Sequence, residues 1–205
     1  MGALNGRLSP LGFHVVGKVD NWDKVLDEVI RNRFQSLDPE SGKQQAFGWV
    51  LLNDPFSTEF TNPAIYYGEH MVGITMRVDS VSVPASQLKL HLARRVKKMC
   101  LEEGRDSIPK AEINRVKEDL QAEMMRQSLP TIKLFEMVYH LGEDRLWFFG
   151  RSKGVVQTFM ELFHETFGIY LAPDSPYTNA ARRLGEAKAD RLLELEEAQF
   201  VSGLE

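Results

Sequence analysis

The run "HMVGITMRVDSVSVP", residues 70–84, decides how the rest of the chain is read. Val72, Ile74, Met76 and Val78 alternate with Gly73, Thr75, Arg77 and Asp79, a period of two that predicts a β-strand with one buried face. Pro84 ends it. Upstream, "PLGFHVV" reads as a strand and "DNWDKVLDEVIRNRF", residues 20–34, as a helix. Asp20 is its expected cap, Asp23 and Asp27 suit its early turns, and Val25, Leu26, Val29, Ile30 and Phe34 share a face. The turn formers of "LDPESGK" separate it from the short strand "AFGWVLL".

Downstream, two helical segments follow. In residues 85–103 Leu88, Leu92, Val96 and Met99 line one side, and Gly104 breaks the pattern. In "DSIPKAEINRVKEDLQAEMMRQ" Ser107 is the expected cap, Pro109 falls in the first turn, and Ile113, Val116, Leu120 and Met124 form a second seam. Zipping the two seams together gives an antiparallel arm that Pro130 closes. Strands "IKLFEMVYHL" and "RLWFFG" then flank the turn "GED". "SKGVVQTFMELFHETFG" reads as a helix that Ser152 opens and Gly168 ends, "IYLAP" as a last strand, and residues after "DSPYTN" as one charged helix to about Phe200. The expected architecture is α+β, with two β-α-β-β-like halves in a sheet-and-helix core (residues 1–83 and 131–176), a protruding arm (84–130) and a C-terminal helical tail (177–205).

Composition bounds the function. A chain of 205 residues, 43% hydrophobic and 26% charged, can bury a real core. No apolar run approaches the roughly 20 residues of a membrane span, and "MGALNGRLSP" has no signal-peptide pattern, so a cytoplasmic location is expected. Cys100 is the sole cysteine, which excludes an intramolecular disulfide and any multi-cysteine zinc site. The formal net charge of −4 argues against nucleic-acid binding by the whole surface. Residues 84–126, however, hold ten Lys or Arg against seven Asp or Glu, which leaves the anionic remainder of the chain electrically unlike the arm.

The concentration is sharpest in "HLARRVKKMC", residues 91–100. On a helical wheel Arg94, Lys97 and Lys98 lie opposite the apolar seam, while Lys89 and Arg95 flank it. Arg105, Lys110, Lys117 and Arg126 extend the cationic set along the arm, interleaved with Glu112, Glu118, Asp119 and Glu123. Two readings remain open, a surface for phosphates or a solvated helix face.

The order of these motifs supplies a further clue. "VDSVSVPASQLKLHL", the charged arm ending near "MMRQSLP", and "RLWFFGRSKGVVQTFMELFHETFGIYLAP" together resemble the bacterial recombination-associated RdgC family, with "AFGWV" upstream fitting as well. The resemblance spans about Leu11 to Tyr177. It implies a protein that binds duplex DNA, forms a ring-like homodimer around it and restrains a RecA-type recombinase; family members are sometimes labelled exonucleases, but with no metal or nucleophile constellation in the chain neither catalytic activity nor a cofactor is expected. Taken with the charge of the arm, it makes Lys89, Arg94, Arg95, Lys97, Lys98, Arg105, Lys110, Lys117 and Arg126 the expected DNA-binding residues. Where family members offer an arginine and an aromatic wedge at the foot of the arm, this chain has "MMRQSL", with Arg126 and Leu129. Its tail "AARRLGEAKADRLLELEEAQFVSGLE" also differs from the longer region that helps those members close the ring.

Three smaller features stay outside that reading. "GRSKG" at a strand-to-helix junction offers Arg151, Ser152 and Lys153 to one anion, or is simply a turn with a capping serine. Glu69, His70, Asp79, His140, Glu143 and Asp144 are scattered and show no metal-ligand spacing, so no catalytic or metal site is expected. The tail is basic early and acidic late, a polarity suited to self-pairing, to a protein partner, or to folding back on the core.

Overall fold

The computed structural model describes residues 10–19, 24–38, 41–68, 70–185, 188, 190–192 and 194. Its strands are β1 (Leu11–Val16), β2 (Gln45–Leu51), β3 (Tyr66–Tyr67), β4 (Met71–Ser80), β5 (Thr131–His140), β6 (Arg145–Phe148) and β7 (Tyr170–Pro173). Its helices are α1 (Val25–Arg31), α2 (Asn62–Ile65), α3 (Ala85–Glu103), α4 (Lys110–Gln127), α5 (Lys153–Phe167) and α6 (Pro176–Leu184). Mixed helices and one antiparallel sheet make the fold α+β. The strands run in the order β2-β4-β5-β6-β1-β7, with β3 also paired to β4. The two expected halves therefore interleave, because β1 lies between β6 and β7 of the second half.

Helices α1 and α5 cover one face. Paired residues share a face, so Trp49 and Met76, Ile74 and Met137, and Val72 and Tyr139 all point toward them. The core there is aromatic: Phe148 stacks on Phe159 with centroids 3.8 Å apart, and Phe13, Phe163 and Phe167 surround them. Trp49 Nε1–H donates to Thr166 Oγ1 at 2.7 Å, and that hydroxyl donates to Leu162 O, so the buried polar atoms of this layer are satisfied.

The opposite face of β4 is buried too, contrary to the single buried face its alternation suggests. β4 is central, flanked by β2 and β5, and its second face carries Gly73, Thr75, Arg77 and Asp79 beneath the chain that follows β2. Arg77 Nε and Nη2 each donate to an Asp79 carboxylate oxygen at 2.8 Å, and Nη1 donates to Pro55 O. The guanidinium also lies over the rings of Phe34 and Phe56 at 4.3 and 5.1 Å. With side chains only 11% and 2% exposed, this ion pair is desolvated.

Several local expectations are corrected. Helix α1 ends at Arg31, and Phe34 leaves it to run beside β2, with Phe34 N–H donating to Trp49 O and Trp49 N–H to Asn32 O. Gly48 permits this: a Cβ there would sit 2.6 Å from the Phe34 backbone. Asp20 and Asp23 lie outside the described residues, and Lys24 stands at the N-cap position without a side-chain bond. Ser107 caps nothing, because α4 starts at Lys110 behind Pro109. Ser152 precedes α5 without a capping bond, whereas Ser175 and Thr178 form a reciprocal box at α6. The tail helix stops at Gly185 (φ 86°), followed by a 3-10 turn at Asp190–Leu192; Leu195 and Phe200 lie outside the described residues.

α6 buries no side chain and is held by polar contacts. His14 Nε2 meets Asn179 Oδ1 at 2.8 Å, Asn179 Nδ2 donates to Asp174, and Arg145 Nη2 donates to Asp174 Oδ2 at 2.8 Å.

Removing one member of the Arg77–Asp79 pair strands a buried charge. Asp79→Ala is expected to destabilise the fold by about 3–5 kcal/mol in urea titrations, and replacing both residues by Met and Leu to cost far less.

Candidate nucleic-acid interface

Helices α3 and α4 leave the sheet from adjacent strands and pack chiefly on each other. At 1.5 Å per residue each is about 27 Å long. Their expected seams meet: Leu88 and Leu120 are buried, Leu92, Val96, Met99, Ile113, Val116 and Met124 are partly so, and Ile108 plugs the turn between the helices. Gly104 ends α3 in the left-handed region at φ 63°, which only glycine adopts without cost.

The cationic residues divide into two groups. Arg95 reaches across the arm to Glu123, Nη1 to Oε2 at 2.7 Å. Arg105 clamps the tip with bonds to both Glu112 oxygens at 2.9 and 3.1 Å and a contact to Glu103. The hydrogen bond that Arg105 donates to Glu112 is the largest cause holding the guanidinium above its ordinary pKa, and the same bond holds the Glu112 carboxyl below its own. These two arginines join the helices of the arm to each other.

Lys89, Arg94, Lys97 and Lys98 are exposed on α3. Lys98 Nζ lies 3.6 Å from Glu102 Oε1, an open surface contact. Arg94, Lys97 and Lys98 project from the side opposite the seam, and Lys89 sits beside it, as their helical spacing predicts. Lys110 and Lys117 are exposed on α4 among acids, a mixed face. Arg126 lies at the foot of the arm, where it helps line a crevice of about 260 Å³ with Leu37, Val81, Met125 and Pro130.

Two leucines belong to the same outward face. Leu90 and Leu101 are 72% and 75% exposed, and with Arg94 and Lys97 they follow a 4-3-4 spacing that places all four in one stripe. Reading the cations alone passes over them, although the spacing itself is legible.

The second anion candidate is less built. Arg151 and Lys153 are exposed around Ser152, and Gly150 fits against the Phe148 ring, where a Cβ would lie 2.5 Å away. Among carboxylates and histidines, His70 and His140 approach with rings 6.2 Å apart. Asp79 is committed to Arg77 and pairs with Ile132 at the far end of β4 from His140. No group of three or more His, Cys, Asp or Glu is arranged to hold a metal ion among the described residues. Nor is any helix among them long and apolar enough to cross a membrane.

Neither a protein-family model nor a curated protein matches this chain.

The tip clamp makes a pH prediction. A carboxyl whose folded pKa is depressed contributes order above its unfolded value and loses it as pH falls through the folded one. Slowed amide exchange across residues 105–112 is therefore expected to persist below the ordinary carboxylate range and to vanish with further acidification. In Arg105→Gln the Glu112 carboxyl, followed by NMR, should titrate at an ordinary value.

Proposed function

We propose that the arm holds duplex DNA by its sugar-phosphate backbone, without reading sequence, through Lys89, Arg94, Lys97 and Lys98. The carrying observation is that three of these cations project from a protruding helix on the side opposite its apolar seam. Lys and Arg heads that neutralise phosphates release condensed counterions, which makes such affinity independent of sequence and steeply sensitive to salt. Arg95 and Arg105 support the site by holding α3 against α4 rather than by touching phosphate. Lys110, Lys117 and Arg126 form a second set spread along α4 from the tip of the arm to its foot.

The resemblance to the recombination-associated family agrees with this reading. A backbone-bound protein denies the duplex to a RecA-type recombinase by occupancy alone, with no chemistry required of it. Such a protein works in the cytoplasm at the nucleoid. The reading includes no catalytic step: prolonged incubation of labelled DNA with the protein and magnesium or manganese should yield no product.

A second reading has one observation in its favour. Leu90 and Leu101 bracket the cations on the outward stripe, and exposed leucines at that spacing suit an apolar helix of a protein partner. On that reading the fold is a non-catalytic scaffold that binds protein and not DNA.

Fluorescence anisotropy separates the two. Four phosphate contacts give a log–log salt slope of roughly −3.6, and Arg94→Glu with Lys98→Glu should flatten it by about 2 while weakening all duplex sequences alike. An unchanged slope removes these residues from the interface. Absence of binding at low salt favours the protein partner.

A further inference from the structure

Between α1 and β2 the chain turns back on itself, and residues from 31–47, with part of α5, border a cavity of about 460 Å³ to which no arm residue contributes among the described residues. That volume falls within the range of small-molecule sites. Its lining is mostly polar. The charged members are Arg31, Arg33 and Lys43 against Asp38 and Glu165, one positive charge in excess within a chain whose net charge is −4.

Strand pairing sets what faces this cavity. Arg33 bridges Trp49 in parallel sense, so its side chain falls on the sheet face that α1 and α5 cover. Gln45 and Phe47 precede Trp49 by four and two residues and belong to the same face. Trp49 is fully buried there, whereas Phe47 is 45% exposed, so the helical cover ends between them and leaves the Phe47 ring on the cavity wall. A half-open aromatic ring is a stacking platform for a planar heterocycle.

Two of the three cations are uncommitted. Arg31 Nη1 is spent on both Glu28 oxygens at 2.9 Å. Arg33 uses Nη1 on Ile30 O, which leaves the rest of its fork open, and neither Arg33 nor Lys43 meets an acid among the described residues. Glu165, contributed by α5, meets no cation among them either. The cavity thus combines an aromatic ring, an amide, two unneutralised cations and a separate carboxylate. A bare anion would leave the ring and the carboxylate unused, and an apolar ligand would desolvate both cations without pairing them.

We infer that this cavity binds a nucleoside phosphate. The base stacks on Phe47 with the Gln45 amide at its edge, the phosphate lies on Arg33 and Lys43, and the Glu165 carboxylate accepts from the sugar hydroxyls. A free nucleotide and the phosphorylated end of a single strand offer the same chemistry. The inference goes beyond the duplex reading, because contacts to a paired sugar-phosphate backbone present no unstacked base to Phe47, and none of these residues lies on the arm.

Isothermal titration of the full chain at low salt with AMP, adenosine and inorganic phosphate tests it. AMP is expected to bind with a Kd below about 1 mM, and adenosine and phosphate each at least roughly tenfold more weakly, since neither reaches both the ring and the cations. Phe47→Leu keeps the apolar cover without the aromatic face and should weaken AMP at least about fivefold while leaving phosphate unchanged. Arg33→Gln with Lys43→Gln should abolish binding of both, and melting transitions show whether each variant is folded. A 5′-phosphorylated adenine tetranucleotide separates the sources: tighter binding than AMP assigns the site to a strand end, weaker binding to a free nucleotide. No heat with AMP, phosphate binding as tight as AMP, or folded variants that bind AMP like the wild type overturn the inference. No duplex is present in these titrations, so their failure leaves the salt slope of the arm untouched.

Discussion

Backbone pairing between β4 and β5, unbroken from Ser80↔Thr131 to Met71↔His140, holds the two ends of residues 81–130 about 5 Å apart. An insertion of that length between neighbouring strands has to leave the body and return at one point. Two helices of similar length are the economical way to do so, because each satisfies its own backbone and offers the other an apolar stripe. The protruding arm is thus a consequence of the β4–β5 ladder. It has little buried support of its own, since within α3 and α4 only Leu88 and Leu120 are buried.

That thin support explains how the charges are divided. A two-helix arm with a narrow seam gains from bonds that tie its helices together, and Arg95 to Glu123 and Arg105 to Glu112 do so at its middle and tip. Planar guanidinium groups suit the work because one fork can bridge two carboxylate oxygens. Cations opposite the seam have no acid across the arm to meet, so geometry alone leaves Arg94 and Lys97 facing solvent. The same helix therefore carries arginines that build the arm and others that face outward from it.

Much of this was legible in the chain itself. Strong periodicity located the two arm helices and α5 to within a residue or two, and Gly104 and Gly168 marked helix ends where they occur, whereas β4 stops at Ser80, short of the Pro84 expected to end it. Alternation could not reveal that β4 is buried on both faces. Arg77 and Asp79 look like solvent-side residues until the strand lies between two others and the chain after β2 covers them. Phe34 fits the apolar face of a longer helix by spacing alone, yet its backbone pairs with Trp49 instead, a contact between residues fifteen apart.

For the candidate site, spacing determined which side of α3 Arg94, Lys97 and Lys98 occupy, because the helix repeat ties position to direction. Which arginines are spent on ion pairs was decided by tertiary structure, since Arg95 meets Glu123 only once the arm is folded back on itself. Which strands form the edges of the sheet was decided there as well: β7 and β2 are both short strands in the sequence, and strand order alone puts them at the two rims. Local periodicity is set by near neighbours along the chain, whereas pairing between distant strands is set by which surfaces find each other, and the chain does not state that in any one segment.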